Sequence, residues 1–214
     1  MKHPSSAPAQ SLLVDAGAAY QGYCSDVTRT WVKGTGATAS AFAALVAGVE
    51  AMQQRLCDAI AIGMPYEKLH DESHRQVAAI LRDVGIASLS QEELVAQGVT
   101  RAFFPHGLGH SLGLQCHDVG CALLKPRADN PFLRNTSIID VGQVFTIEPG
   151  VYFIEPLLAP LRAKDVTSSG VDWKLVGELR ALGGVRIEDD VVVMGGEKKA
   201  RNLTREFLAT GGGR

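Results

Sequence analysis

Apolar residues recur at the spacing of an amphipathic helix in two long segments of the first half of the chain. The pattern predicts one helix over residues 38–62 and a second over residues 66–84, each followed by a glycine that ends it. A shorter helix is predicted over residues 91–96. The apolar positions of the first helix are Phe42, Leu45, Val46, Val49, Met52, Leu56 and Ile60. Each long helix is therefore expected to bury one face.

A hairpin is predicted ahead of the first helix, with strands over residues 12–17 and 23–32. If its turn is centred on Gln21 and Gly22, Asp15 lies opposite Thr28 and diagonal to Asp26, on one face of the hairpin. Diagonal neighbours are about 7–8 Å apart. Two carboxylates so placed are tolerated where they are solvated or where a cation lies between them.

The second half of the chain alternates short strand patterns with breaks. Strands are predicted over residues 144–148, 151–154, 185–188 and 190–194, helices over 172–181 and 202–208, and irregular structure over 124–137. The first of these helices has Asp172 as its predicted N-cap. Residues 156–172 mix proline, leucine and charged side chains, and they predict an active-site loop.

The composition is that of an ordinary globular protein. The 214 residues are 46% hydrophobic and 21% charged, enough for one sizeable core or two small ones. The net charge of −2 gives no reason to expect nucleic acid or a membrane as a partner. Four cysteines without a Cys-x-x-Cys pair favour reduced thiols in the cytoplasm, and we expect no signal peptide. Residues 1–11 are predicted to be a disordered lead-in, and residues 209–214 a flexible tail.

Residues 104–120 hold three of the six histidines, His106, His110 and His117, among four glycines. So many glycines oppose a helix, and they allow the backbone to approach a ligand closely. The segment is therefore predicted to be a loop that presents imidazoles. It lacks the His-Glu-x-x-His pattern of a zinc protease, so any further metal ligands must come from elsewhere in the chain.

Two other candidate sites compete with this loop. His70 and His74 stand one helical turn apart and could hold a metal, but the acidic residues around them favour a solvated helix face. Cys116 lies beside His117 and could form a Cys–His nucleophile. We disfavour that nucleophile because it would leave the acidic motifs unexplained.

Those acidic motifs flank the histidine loop in sequence, and with one histidine they form an ordered set. The set comprises Asp15, Asp26, His110, Glu148 and Glu188. It resembles the five metal ligands of the dinuclear "pita-bread" peptidases, which include methionine aminopeptidase, aminopeptidase P and prolidase. The resemblance runs from about residue 12 to about residue 205. Within the family, residues 152–162 are most similar to bacterial Xaa-Pro dipeptidases (prolidases).

The resemblance implies an α+β fold in which helices cover a curved, mostly antiparallel sheet, with residues 12–208 as the catalytic domain. Full-length prolidases carry an N-terminal domain used largely for dimerisation, and an active-site histidine just before the first ligand strand. Neither has a counterpart in this sequence, so we expect a catalytic domain that is incomplete at its N-terminal edge. The homodimer is implied only for the full-length family member.

Four carboxylates and a neutral imidazole balance the charge of two divalent cations. Mostly oxygen ligands favour Mn, Fe or Co, and Zn also fits; the resemblance implies Mn. It further implies that Asp26 and Glu188 bridge the two ions, that Asp15 completes one site, and that His110 and Glu148 complete the other. A metal-bound hydroxide would attack the scissile carbonyl, and Glu148 would pass the proton to the leaving nitrogen.

The residues around the ligands receive roles from the same resemblance. His106 and His117 match histidines that orient the substrate and stabilise the tetrahedral intermediate. Arg186 is expected to hold a bridging carboxylate and to contact the substrate, and Thr28 to hydrogen-bond Asp26 or the water. Arg162 is the predicted partner of the substrate's terminal carboxylate. Tyr152 is interpreted as a core residue or as part of the site.

The favoured hypothesis is an enzyme that hydrolyses Xaa-Pro dipeptides. The first alternative is removal of an N-terminal residue before proline, as in aminopeptidase P. The second is an inactive remnant of the catalytic domain. The third is a peptide-binding module, which normally accompanies loss of the metal ligands, whereas all five are present here.

Overall fold

The computed structural model describes residues 9–164, 170–196 and 199–211. Most of the predicted lead-in and part of the predicted tail, residues 1–8 and 212–214, lie outside this range. The strands are β1 (Gln10–Ala16), β2 (Ala19–Tyr20), β3 (Tyr23–Cys24), β4 (Val27–Lys33), β5 (Val144–Ile147), β6 (Gly150–Val151), β7 (Val185–Arg186), β8 (Asp189–Val193) and β9 (Ala200–Asn202). The helices are α1 (Ala37–Asp58), α2 (Tyr66–Asp83), α3 (Gln91–Ala96), α4 (Val99–Phe103), α5 (Glu155–Lys164), α6 (Trp173–Arg180) and α7 (Leu203–Ala209).

The first hairpin forms with the predicted register. β1 pairs antiparallel with β4, and Asp15 lies opposite Thr28. The turn falls at Gln21 and Gly22, whose φ angles are 49° and 88°. Positive φ costs glycine little, which explains why the chain reverses here. The hairpin therefore brings the first two acidic residues to one end of the β1–β4 pair.

The remaining strands are also paired antiparallel. β8 lies between β5 and β9, and β6 pairs with β7. A bridge between Thr28 and Glu188, with backbone hydrogen bonds of 3.4 and 3.0 Å, joins the first hairpin to the start of β8. This bridge connects strands that are more than 150 residues apart in sequence, and it carries Glu188 to the acidic end of the hairpin.

The two long helices confirm the predictions made from apolar spacing. α1 buries one face, with Phe42, Leu45 and Val49 inaccessible to solvent, and it contacts β4, β5, β7 and β9. α2 packs on α1 and on the short helices α3 and α4. The helices thus cover one side of the strands and leave the carboxylates on the other.

The prediction of a loop over residues 156–172 was wrong for its first half, which forms α5. Pro156 lies in the first turn, where a backbone N–H would have no acceptor within the helix, so its absence breaks no hydrogen bond. Pro160 removes one hydrogen bond inside the helix. A buried leucine anchors the helix to the core. Residues 165–169 of the predicted loop lie outside the described part of the chain.

The prediction of a solvated face at His70 and His74 was also wrong. Only 3% and 2% of their surfaces are exposed. The acidic residues that suggested solvent instead pair with a neighbouring loop, because Arg127 lies 3.3 Å from Glu67 and 2.7 Å from Asp71. The charges thus lie at the edge of α2, and the two histidines face inward.

Candidate metal centre

The five residues predicted as metal ligands lie together. Ligand atoms within 4.8 Å of one another form three overlapping groups. The groups are Asp26, His110 and His117; His110, Glu148 and Glu188; and Asp15, Asp26 and Glu188. Residues from both ends of the sequence thus converge on one small volume.

The acidic half of the centre is positioned by strand pairing. Asp15 projects from β1, and Asp26 stands just before β4 with its amide donating to the carboxylate of Asp190 at 3.2 Å. Glu188 precedes β8 and is fixed by its bridge to Thr28. Thr28 also donates from its hydroxyl to Glu188 Oε2 at 2.6 Å, so backbone and side chain orient the same carboxylate.

The histidine loop is held against β5. The amide of Thr146 donates to the carbonyl of His110 at 3.0 Å, and the amide of Glu148 donates to the carbonyl of Leu108 at 2.8 Å. Between these contacts, a Cβ on Gly109 would lie 2.0 Å from the carbonyl oxygen of Thr146. Only glycine permits this approach, which sets His110 and Glu148 side by side.

The tautomer of His110 suits a metal ligand. Its Nδ1 lies 3.1 Å from the carbonyl oxygen of Ser111, and a carbonyl can only accept, so Nδ1 carries the hydrogen. Nε2 therefore points at the carboxylates, 3.5 Å from Asp26, 3.6 Å from Glu148 and 3.9 Å from Glu188. A backbone acceptor on the second nitrogen is the usual way in which a ligating imidazole is oriented.

The carboxylates crowd one another, and Arg186 is the positively charged side chain that pairs with them. Burial, together with the charge of Glu188, raises the pKa of Glu148 to about 8, and burial also raises the pKa of Glu188. When the imidazole of His110 is also protonated at Nε2, its hydrogen bond lowers the pKa of Asp26. Oxygen donors around one imidazole, with this excess of negative charge, fit two divalent cations such as Mn, Fe, Co or Zn.

Arg186 connects the acidic and histidine halves of the centre. It pairs with Asp15, and its Nε lies 3.5 Å from Glu188 Oε2. Its Nη1 donates to the hydroxyl of Tyr152 at 3.2 Å, and that hydroxyl contacts His106 Nε2 at 2.8 Å. Tyr152, which the sequence left between core and site, thus lies in the site.

The other two predicted histidines flank His110. The Nδ1 of His106 lies 3.9 Å from Glu148 and contacts the carbonyl of Gly107 at 2.8 Å. Burial lowers the pKa of His106 to about 4, so this imidazole is neutral at physiological pH. The ring of His117 lies 4.3 Å from the ring of His110 on the more exposed side.

The thiol of Cys116 donates to Asp26 Oδ2 at 2.9 Å. Burial and this hydrogen bond raise the pKa of Cys116 to about 12, so the sulfur remains a thiol near neutral pH. A nucleophilic cysteine requires the thiolate. The Cys–His alternative therefore gains no support from the geometry.

The ligands line a cavity of about 790 Å³. Arg134 also lines it, from a part of the irregular segment that carried no sequence signal for a site. Arg162, the predicted carboxylate partner, is not among the lining residues. It pairs with Glu155 at 2.9 Å on α5 and stacks over the ring of Trp173 at 4.7 Å.

The model of metallopeptidase family M24 matches residues 3–194. The chain belongs to metallopeptidase family M24. Similar curated proteins include the Xaa-Pro dipeptidases of Marinobacter nauticus, 48% identical over 198 residues, and Pseudoalteromonas atlantica, 42% identical over 205 residues. These matches cover 92% of this chain but 45% and 46% of the relatives, so the chain spans about half their length.

Solved structures of aminopeptidase P resemble the fold over 92% of this chain. Proline aminopeptidase P II from Yersinia pestis is 31% identical with a TM-score of 0.68, and the match covers 92% of this chain and 38% of that one. A zinc-substituted Escherichia coli aminopeptidase P in complex with product is 30% identical with a TM-score of 0.65, and this match also covers 92% of this chain and 38% of that one. The predicted family and the predicted α+β pita-bread fold are confirmed.

None of the helices within the described residues is sufficiently long and apolar to cross a membrane.

Proposed function

We propose that this chain is the catalytic part of a metal-dependent Xaa-Pro dipeptidase. The observation that carries the proposal is the convergence of four carboxylates and one imidazole on a single cavity. Membership in a metallopeptidase family and the Xaa-Pro dipeptidase names of relatives at 42–48% identity support it. We expect the protein to be cytoplasmic, and a dimer is expected for the longer family members.

The five clustered residues would hold two divalent cations. Asp15, Asp26 and Glu188 can serve one ion, and His110, Glu148 and Glu188 the other, because these are two of the three groups whose donor atoms meet. Manganese is the favoured ion, with cobalt, iron and zinc as alternatives. When bound, such ions lower the pKa of a shared water and polarise a carbonyl group.

Glu148 is proposed to move the proton. Its carboxylate lies beside both His110 and His106, at the wall of the cavity where the scissile bond would lie. It would take a proton from the attacking water and give it to the prolyl nitrogen as that nitrogen leaves. The nitrogen of an Xaa-Pro bond carries no hydrogen, so an enzyme that required an N–H there would fail.

His106 and His117 are proposed to orient the substrate and to stabilise the tetrahedral intermediate from two sides of His110. The hydroxyl of Tyr152 and the carbonyl of Gly107 fix the ring of His106. The single N–H of this neutral imidazole donates to the Gly107 carbonyl, so it would have to transfer to the substrate oxygen to stabilise developing negative charge.

Three arginines are candidates for the terminal carboxylate of the dipeptide. Arg162 was predicted from the sequence, but its guanidinium already pairs with Glu155. Arg134 lines the catalytic cavity, and no ion pair is found for it among the described residues. Arg186 also lines the cavity, but its guanidinium holds Asp15 and Glu188. The geometry therefore favours Arg134 for the substrate and Arg186 for the metal ligands.

The proposal is tested by assaying hydrolysis of Ala-Pro by the purified chain with Mn²⁺. We expect cleavage that EDTA abolishes and that Glu148→Gln reduces by about 10²-fold or more. Glu155→Gln is the matched control, because this glutamate lies on α5 outside the cavity, and it should retain full activity. A folded chain without Mn²⁺-dependent cleavage would instead favour the inactive-remnant or peptide-binding alternative.

A second candidate function is aminopeptidase P activity, which is favoured by the names of the similar solved structures. The two activities are distinguished by offering Ala-Pro and Ala-Pro-Ala together. A dipeptidase that grips the prolyl carboxylate should prefer Ala-Pro, whereas an aminopeptidase P should cleave the tripeptide at least as well.

A further inference from the structure

A second cavity adjoins the catalytic cavity and is not used by the proposed reaction. Its volume is about 370 Å³. The residues that line both cavities are Pro105, His106, Pro131, Phe132, Leu133 and Leu157. The second cavity is also lined by His70, His74 and Phe104, and we call it the side chamber. The side chamber is therefore the cavity next to a substrate bound in the catalytic cavity.

His70 and His74 lie on the buried face of α2 and contribute polar atoms without partners. Their ring centroids are 4.8 Å apart, and both rings also pack on Phe104, at 5.8 and 5.3 Å. Within the described residues, the Nδ1 atom of each ring has no hydrogen-bond partner. A buried polar atom without a partner lowers stability, and an ordered water or a bound molecule can satisfy such an atom.

The other polar groups of the side chamber are already paired. Arg101 lies 3.2 Å from the carboxylate of Asp129 and also donates to Asn130. Burial lowers the pKa of His70 to about 4 and that of His74 to about 3, so both imidazoles are neutral at pH 7. With both imidazoles neutral and Arg101 paired with Asp129, the described residues of the chamber offer no unpaired charge to balance a charged occupant, and the chamber therefore favours an uncharged one.

The residues that line the chamber further restrict the chemical class of its occupant. A neutral imidazole offers one donor and one acceptor, and a hydroxyl group can both donate and accept. Phe104, Phe132 and Leu157 supply apolar surface, and pockets of this kind bind ligands that are mainly apolar with a few hydrogen bonds. A phenol matches both requirements, because its ring is apolar and its hydroxyl is polar.

We propose that the side chamber binds the phenol side chain of a tyrosine that precedes proline in the substrate. The ring packs against Phe104, and the hydroxyl hydrogen-bonds the unpartnered nitrogens of His70 and His74. The identity of the substrate rests on the proposed function above. The binding of a phenol by the chamber does not rest on that function, so the phenol site and the proposed function can be refuted separately.

The preference is measured with Tyr-Pro and Phe-Pro, which differ by one hydroxyl. We expect kcat/KM to favour Tyr-Pro about tenfold, the effect of one ordinary hydrogen bond. His70→Phe and His74→Phe keep a ring but remove the nitrogens, so each should bring the ratio close to one while Ala-Pro cleavage stays unchanged. A ratio near one in the unsubstituted protein, or a preference that both variants retain, would overturn the proposal.

A second measurement requires neither hydrolysis nor a variant. The full chain labelled with ¹⁵N-histidine is titrated with p-cresol, and with toluene as the control that lacks the hydroxyl. We expect p-cresol to shift the imidazole nitrogen signals of His70 and His74, and toluene to leave them near their free positions. If no Xaa-Pro dipeptide is cleaved but p-cresol shifts these signals, the proposed function fails and the phenol site stands. If the signals do not respond to p-cresol, the phenol site is refuted.

Discussion

Replacing Gly109 with alanine would force the histidine loop away from the strand that positions it. The new Cβ would lie 2.0 Å from the carbonyl oxygen of Thr146 and 2.5 Å from the hydroxyl of Tyr66. Neither group is free to move, because the Tyr66 hydroxyl itself donates to the Thr146 carbonyl at 3.0 Å within the core. The loop must therefore shift by more than 1 Å to reach a normal contact distance.

The Gly109→Ala substitution should lower the free energy of unfolding in two ways. Overpacking in a close-packed interior destabilises by about 1–3 kcal/mol. A shifted loop also weakens the two backbone hydrogen bonds between residues 108–110 and residues 146–148, each worth about 0.5–1.5 kcal/mol. The expected loss of unfolding free energy is roughly 2–6 kcal/mol, a large part of the total for an average domain. Because the same contacts orient His110, metal affinity should fall as well.

The assay is urea unfolding followed by tryptophan fluorescence, with Mn²⁺ and with EDTA. Gly177→Ala is the matched control, since its Cβ would meet nothing within 4 Å on the exposed side of α6. It should stabilise the protein by about 0.5–1 kcal/mol, because alanine favours a helix over glycine. A Gly109→Ala protein within about 1 kcal/mol of the parent, with unchanged Mn²⁺ stabilisation, would refute the reasoning.

Three further predictions follow from the site and its surroundings. Thr28→Val removes the hydroxyl that orients a ligand carboxylate, and it should weaken Mn²⁺ binding about tenfold or more by calorimetry, with unchanged binding contradicting this role. Arg134→Ala should raise KM for Ala-Pro about tenfold or more, because a charge-assisted hydrogen bond to the substrate carboxylate is lost. Arg162→Ala should leave KM unchanged. The opposite outcome would favour Arg162, the carboxylate partner predicted from the sequence. The folded-state pKa values of His70 and His74 lie below their unfolded values, so the unfolded chain binds more protons as the pH falls. Stability should therefore fall by about 2 kcal/mol per histidine between pH 7.5 and pH 5, and the double variant with phenylalanine at both positions should lose this dependence in urea unfolding.

The sequence pattern alone was sufficient to predict the elements that are determined by residues close together in the chain. The position of Gly22 fixed the hairpin register, because strand side chains alternate with a period of two, and Asp15 consequently met Thr28 as predicted. The apolar spacing that predicted α1 reflects burial of the same residues against the strands. The meeting of His110 with Glu148 and Glu188 depends on pairing between distant segments, and it was inferred from family resemblance rather than from spacing.

The features that could not be predicted from the sequence depend on tertiary contacts. Arg134 lies in an irregular segment, where no periodicity indicates which side chain faces the cavity. α5 contains prolines that locally disfavour a helix, and packing on the core overrides that preference. The burial of His70 and His74 could not be read from their acidic neighbours, because those neighbours are neutralised by Arg127 from a distant loop.

The central claim, that distant acidic residues and one histidine bind a pair of cations, is tested most directly by anomalous diffraction. Crystals of the protein grown with Mn²⁺ would be measured on both sides of the manganese absorption edge. We predict two anomalous peaks per chain, contacted by the ligand set Asp15, Asp26, His110, Glu148 and Glu188. The absence of peaks among these side chains, or peaks only elsewhere on the protein, would contradict the account.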